Sequence, residues 1–267
     1  MIHRVRAIDA HAAGEPLRLI VEGFPAVVLG VVALCFLTDR PEQATWLPPD
    51  QRAALGREMA AERDERMQHH RGSELATLLN GRVLLVCFIY FLHTVVSYGV
   101  FLWLPSILRD ASGFRGWRLS LITAIPFAAA LVGMVLIGRH SDRTKERKGH
   151  VAVCALIGAA GLVLAAASGS NVPLIVLAFA ICQVGQRAVQ GVFWAIPPMF
   201  LGGTAAAAGI AMINAIGNLG GFFGPTVMGW LKGVSGTYSP GLLVLASSLI
   251  LCSVLVMTLK LPKAMAR

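Results

Sequence analysis

Residues 137–150 read IGRHSDRTKERKGH. Arg139, Arg143, Lys145, Arg147 and Lys148 crowd this short stretch, and residues 119–138 before it and 151–168 after it carry no Asp, Glu, Lys or Arg. A soluble protein has no reason to set such a cluster between two long uncharged runs. A membrane protein does: Lys and Arg collect in the loops that stay on the cytoplasmic side, and the excess sets the topology. The stretch therefore predicts two membrane helices joined by a cytoplasmic loop. It sets the fold class as an all-α membrane protein.

Composition agrees. The 267 residues are 56% hydrophobic and 14% charged, with a mean hydropathy of +0.69, whereas soluble domains carry about 25% charged residues. The net charge of +9 sits in a few loops, which argues for membrane orientation and against nucleic acid as a partner. Cys35, Cys87, Cys154, Cys182 and Cys252 all lie in apolar runs with no C-x-x-C pair. They read as small apolar fillers, so neither a disulfide framework nor a metal or other cofactor is expected.

Working outward, residues 82–108, 119–138, 150–168, 172–200, 204–230 and 239–260 form apolar segments, each long enough for about 30 Å of hydrocarbon at about 1.5 Å per residue. Arg40, Arg52, Arg57, Arg63, Arg66 and Arg71 precede the first, and Lys260, Lys263 and Arg267 follow the last. The loops near Gly169-Ser170 and Gly202-Gly203 carry no Lys or Arg, and the one after residue 230 carries Lys232. Both ends of the six-span body are thus expected on the cytoplasmic side. Within residues 38–80, Pro48-Pro49-Asp50 reads as a helix start and the mixed charges beyond it as a solvated or membrane-surface helix, a cytoplasmic central loop. His69-His70 lack further ligands, so no metal is assigned to them. Residues 23–37, GFPAVVLGVVALCFL, are apolar but shorter than the roughly 20 residues of a full span, and read as a truncated helix. If they did cross, Arg4, Arg6 and Arg18 would lie outside without an export signal.

Four sets of residues can carry function. Gln183, Gln186, Arg187 and Gln190 fall at i, i+3, i+4 and i+7 and share one helix face. Three amides and a guanidinium cannot face lipid, where a charge costs several kcal/mol, so the stripe is expected toward protein or a water-filled cavity. The spans hold no Asp or Glu to pair with Arg187. Arg187 is the first candidate for an anionic substrate, because its planar fork fits a carboxylate; a structural Arg paired elsewhere is the other reading. Tyr90, His93 and Ser97 share a face at i, i+3 and i+7. Tyr90 is a candidate substrate contact. His93 is either a proton-coupling site or a histidine bonded between helices. Asn214 and Asn218 share a face and serve either substrate or a neighbouring helix, while Gly217-x-x-x-Gly221 and Gly220-x-x-x-Gly224 are small-residue pairs for close helix packing. Pro197-Pro198 should kink or end their span. In the basic loop, Asp142 is placed by a helix N-terminus, paired with Arg143 or Arg139; the loop is either a gating latch or a stretch that only sets orientation.

Two resemblances bear on these residues. The loop fits the pattern G-x-x-x-D-R-x-x-x-R-K through Gly138, Asp142, Arg143, Arg147 and Lys148, which resembles the loop motif of major facilitator superfamily transporters. With EGFPAVVLG, FLTDRPEQATWL, YGVFLWLPSIL and FWAIPPMFLGGTAAAAGIAMINAIGNLGGFFGP, residues 23–267 resemble the C-terminal half of the anion:cation symporter family of tartrate, phthalate and sugar-acid permeases. That resemblance implies proton-coupled uptake of an organic anion, such as a dicarboxylate or sugar acid, across the bacterial inner membrane by alternating access. It implies twelve spans in two halves, with the substrate between them. Residues 81–267 would be the six-helix half, and the partner either a separately encoded N-terminal half or a second copy of this chain. The start differs. Ile8 to Arg18, IDAHAAGEPLR, resembles the opening of the proline racemase and hydroxyproline epimerase family, a strand followed by an H-x-x-G-E-P turn. That family uses two cysteine thiols in motifs much further along, and no such motif occurs here. Residues 1–22 therefore read as a racemase-like graft on a transporter, and an enzyme is not expected. A transporter half, a non-functional fusion or truncated product, and a racemase-type enzyme remain the alternatives.

Overall fold

The computed structural model describes the backbone of residues 7–12, 15–20, 48–68, 80–201 and 203–260, with the side chains of 48–61, 80–201 and 206–260. The truncated helix of residues 23–37, His69-His70 and Cys35 lie outside the described residues. Two compact units result, Met1–Glu74 with Gly202–Ala208, and Leu75–Leu201 with Gly209–Arg267.

In the first unit, β1 (Ala7–Ala12) and β2 (Glu15–Ile20) pair antiparallel, from Ala7 opposite Ile20 to Ala12 opposite Glu15. Glu15 and Pro16, read from sequence as part of a turn, instead open β2. Proline is tolerated at the start of an edge strand, where its missing N–H is not needed. Helix α1 (Pro49–Gln68) begins as expected, with Pro49 in its first turn and Asp50 beside the positive end of the dipole.

The second unit is helical: α2 (Gly81–Ser112), α3 (Trp117–Thr144), α4 (Lys148–Ala167), α5 (Val172–Phe193), α6 (Gly203–Asn218, of which Gly209 onward belongs to this unit), α7 (Gly220–Ser235) and α8 (Ser239–Thr258). Among the described residues these make six segments long and apolar enough to cross a membrane, with α6 and α7 sharing one. Side-chain caps set two of the starts. Asn80 Oδ1 accepts the Arg82 N–H at 2.9 Å, and Asn171 Oδ1 accepts the Leu174 N–H at 3.1 Å. Gly113 (φ 69°) closes α2 in the left-handed region that glycine enters without strain.

Glycines let the helices touch backbone to backbone. A Cβ on Gly161 would stand 2.7 Å from the Ala178 carbonyl oxygen, which seats α4 on α5. A Cβ on Gly220 would stand 2.5 Å from the Phe91 oxygen, and one on Gly224 would fall on the Val95 oxygen, so α7 lies directly on α2. This is the close approach that the small-residue spacing predicts. Ile89, Val96, Leu104, Leu162, Phe179, Leu245 and Leu249 fill the interior, while Leu121, Leu131, Phe222 and Trp230 stand exposed on the outer faces. Large apolar side chains on the outside suit a protein whose solvent is lipid.

Two expected spans differ in detail. The 204–230 segment is not one helix but breaks at Leu219 between α6 and α7. Thr94 Oγ1 of α2 donates to the Gly217 oxygen at 2.6 Å, so a side chain enters the hydrogen-bond ladder just before the break. The 172–200 segment is helical only to Phe193; a 3-10 turn at Pro197–Met199 follows, as the missing proline N–H requires.

Candidate functional site in the membrane helices

The α5 stripe turns inward. Gln183 (1% exposed) and Gln186 (0%) are buried, and Arg187 and Gln190 are partly covered. Arg187 Nη1 donates to Gln190 Oε1 at 3.1 Å and, among the described residues, forms no ion pair. The three glutamines and the arginine therefore stay together, as their spacing predicts.

Helix α2 supplies the facing wall. His93 is 1% exposed and Tyr90 5%. The Tyr90 ring stacks on Phe193 (centroids 5.2 Å) and His93 (6.1 Å), and meets Trp194 edge-on (4.9 Å). A Cβ on Gly217 would collide with Tyr90, so the ring lies flat over the end of α6. Tyr90 of α2, with His93 stacked on it, thus meets the C-terminal end of α5, the helix that carries Gln183, Gln186, Arg187 and Gln190.

Both helices carry under-bonded groups. His93 Nδ1 and Nε2, Gln183 Nε2, and Gln186 Nε2 and Oε1 are buried and find no hydrogen-bond partner among the described residues. Native proteins pair the great majority of buried polar atoms. Buried polar atoms that a fold leaves unpaired are the ones that water or a ligand can satisfy.

Asn214 and Asn218 bond one another rather than any other candidate residue among the described contacts. They are exposed, and Asn218 Nδ2 donates to Asn214 Oδ1 at 2.8 Å and to the Asn214 carbonyl at 2.9 Å.

The basic loop differs from its expected form. Asp142 lies in the last turn of α3, not at a helix N-terminus, and pairs with Arg147 (2.6 Å) rather than with Arg143 or Arg139. The reason is the chain reversal. Lys145 adopts a left-handed conformation (φ 54°) that swings Arg147 back over α3, where its Nη1 also donates to Ser141 Oγ at 3.1 Å. Arg139 and Arg143 point outward, exposed. Lys148 Nζ donates to the Met257 and Leu259 carbonyls (2.9 and 2.5 Å), capping α8, and Gly138 sits in open surroundings with nothing within 4 Å of a Cβ built on it.

Glu146 takes the N-terminal role expected of Asp142. It accepts the Gly149 and His150 N–H groups (2.7 and 3.1 Å) at the start of α4 and contacts His150 Nδ1 at 3.0 Å. Burial pushes its carboxyl upward, but the Gly149 and His150 bonds outweigh that and hold it below the usual glutamate value. His150 Nε2 in turn meets His140 Nδ1 at 2.7 Å. An acid just ahead of an apolar run was the available signal.

A second cluster, at the opposite end of the helices, was not legible in sequence. Asp110 on α2 accepts Lys232 Nζ of α7 (3.0 Å) and the Tyr238 hydroxyl (2.6 Å), and Lys232 also bonds that hydroxyl. Burial and the Asp110 carboxylate push the Tyr238 phenol up. Trp103 Nε1 donates to the Pro225 oxygen at 3.1 Å. Sequence separations of more than a hundred residues hid these contacts.

Among the described residues, six segments long and apolar enough to cross a membrane, with the polar stripe of α5 turned inward, describe a multi-pass membrane protein. The chain belongs to the Major Facilitator Superfamily, whose family model matches residues 17–225 and 87–266. The first match begins inside the racemase-like stretch of residues 1–22. The chain is 42% identical to the "Putative tartrate transporter" of Agrobacterium vitis, over 92% of this chain and 54% of that protein. It is 34% identical to the inner membrane transport protein RhmT of Escherichia coli K12, over 93% of this chain and 57% of that protein. It is also 34% identical to a quinolone resistance transporter of Acinetobacter baumannii, over 89% of this chain and 54% of that protein. The chain spans about half the length of the curated relatives it matches.

Proposed function

We propose that this chain supplies the C-terminal half of a secondary active transporter that carries an organic anion, a dicarboxylate or sugar acid, by proton-coupled alternating access. One observation carries the reading. Arg187 lies partly covered in a span, its described partner is the neutral Gln190 amide, and the two acids that the described membrane helices carry, Asp110 and Asp142, are taken at helix ends by Lys232 with Tyr238 and by Arg147. A guanidinium kept in that setting is suited to a carboxylate brought by the substrate. The relative named for tartrate supports that chemistry.

In this reading Gln183, Gln186, Gln190 and Tyr90 shape the site around Arg187, and His93 carries the coupled proton. The loop holding Gly138, Asp142, Arg143, Arg147 and Lys148 lies on the cytoplasmic side of the inner membrane, with the C-terminus, and acts as a latch that opens as the halves rock. Asn214 and Asn218 form the rim that meets the other half. That half is a separately encoded N-terminal domain or a second copy of this chain, and the activity is transport, not catalysis.

The test is uptake of labelled tartrate into cells expressing this chain, alone and with the N-terminal half of a relative. Uptake that an uncoupler abolishes and Arg187→Ala removes is the expected result. Inserted protein that takes up no organic anion in either setting, or uptake unchanged by Arg187→Ala, contradicts the reading.

A further inference from the structure

Two histidines at the α3–α4 hairpin are used neither by the α5 stripe nor by the Asp142–Arg147 pair. His140 lies near the end of α3 and His150 in the first turn of α4. Their ring centroids stand 5.0 Å apart, with the planes tilted by 48° and His140 Nδ1 2.7 Å from His150 Nε2. On the far side of its ring, His150 Nδ1 lies 3.0 Å from Glu146 Oε2. An ionised carboxylate only accepts, so Nδ1 carries the His150 proton and Nε2 keeps a lone pair, which faces His140. The His150 side chain is largely covered, and His140 is exposed. Glu146 stands behind His150 rather than beside the facing nitrogens, and among the described residues no set of three His, Cys, Asp or Glu ligands forms.

We propose that His140 Nδ1 and His150 Nε2 form a two-imidazole site for a divalent transition metal of the Zn²⁺, Ni²⁺ and Cu²⁺ class, with water in the remaining positions. The proposal is independent of the anion reading of Arg187. Three features support it. Neutral imidazole is the ligand these ions share. A carboxylate on the other ring nitrogen is the arrangement that fixes the tautomer and orientation of a metal-bound histidine, and Glu146 supplies it. Metal–nitrogen bonds of about 2.0–2.1 Å set two such nitrogens roughly 3 Å apart, so the pair opens only slightly to admit an ion. No proton has to leave the protein, because the exposed His140 ring moves its proton from Nδ1 to Nε2. The neighbouring charges select among ions. Arg147 is taken by Asp142, but Arg139 and Arg143 are exposed on the same hairpin and oppose a cation. Mg²⁺ and Ca²⁺, which need a shell of oxygen ligands, are disfavoured there; an ion held by coordinate bonds to imidazole is not. Bound, the ion would tie the end of α3 to the start of α4 across the turn.

The experiment uses the purified full chain, free of any histidine tag, in detergent. His69→Gln and His70→Gln are present throughout, so that the adjacent pair His69-His70 does not bind the probe. Zn²⁺, Ni²⁺ and Mg²⁺ are titrated by calorimetry, and Cu²⁺ is followed by electron paramagnetic resonance. The expected result is saturable binding of one Zn²⁺ or Ni²⁺ per chain, none of Mg²⁺, and a Cu²⁺ spectrum split by two nitrogen ligands. His140→Gln and His150→Gln should each abolish that binding. His140 is exposed, so its variant should stay monodisperse by size-exclusion chromatography and report on the metal alone. Glu146→Gln, which leaves both ligands in place, should weaken binding by about tenfold without abolishing it. No saturable Zn²⁺ or Ni²⁺ binding would overturn the proposal and leave the pair as a hydrogen bond between two rings. Binding unchanged in both His140→Gln and His150→Gln would overturn it as well.

Discussion

The basic loop and the α5 stripe are both polar, and they treat their polar groups in opposite ways. In the loop, Asp142 is taken by Arg147, Glu146 by the first amides of α4 and by His150, and Lys148 by the carbonyls that end α8. In and beside the stripe, Gln183, Gln186 and His93 are buried with atoms unpaired among the described residues, and the described partner of Arg187 is an amide. The loop completes itself. The stripe is left incomplete at a position where incompleteness costs about 1–3 kcal/mol for each orphaned group. A fold keeps such a cost where a ligand or water removes it, which is why the membrane face, not the conspicuous basic loop, is the better place to look for substrate.

The harshest way to break the comparison is to move α2, which carries His93 and Tyr90. Gly224→Val puts a branched side chain onto the Val95 backbone, which cannot give way as a flexible side chain would. Overpacking of that kind costs about 1–3 kcal/mol or more. The expected result is little or no monodisperse protein by size-exclusion chromatography; a normal yield would mean that α7 does not lie on α2 as described.

A smaller effect separates the two regions by sign. Gln186→Leu removes a buried amide that has no protein partner, so unfolding in detergent should shift upward by about 1 kcal/mol, while anion binding weakens. A loss of stability would show that the amide is satisfied within the fold.

The loop should respond the other way. Glu146→Ala removes the cap of α4 and should cost about 1 kcal/mol at neutral pH. The Glu146 carboxyl is held below its ordinary value in the fold. Its contribution is therefore complete above the unfolded value of about 4.3 and fades as pH falls through the lower folded value. Wild type and Glu146→Ala should converge in that acid window; a gap that persists there would mean that the carboxylate charge is not what caps α4.

Local periodicity made much of this legible. Apolar length marked the spans, the i, i+3, i+4, i+7 spacing put Gln183, Gln186, Arg187 and Gln190 on one face, and the paired glycines marked a close helix contact without naming its partner. What stayed hidden depended on backbone reversal or on distance along the chain. The left-handed Lys145 decides that Asp142 meets Arg147 instead of its nearer neighbours. Beside the break at Leu219 the Gly217 carbonyl faces the hydroxyl of Thr94, a residue of another helix. The Asp110–Lys232–Tyr238 cluster joins ends of three helices, and neither spacing nor composition announces it. Asn214 and Asn218 share a face as expected, but spacing alone does not say that the face is exposed.

The most direct test of the central claim is equilibrium binding of labelled tartrate to the purified chain, beside Arg187→Gln and Arg187→Lys. The account predicts saturable binding that Arg187→Gln weakens by roughly 10- to 100-fold, the worth of a charge-assisted bond. Arg187→Lys should restore only part of it, because an ammonium lacks the planar fork. Binding of equal strength in wild type and Arg187→Gln would contradict the account and remove the α5 stripe from the substrate path.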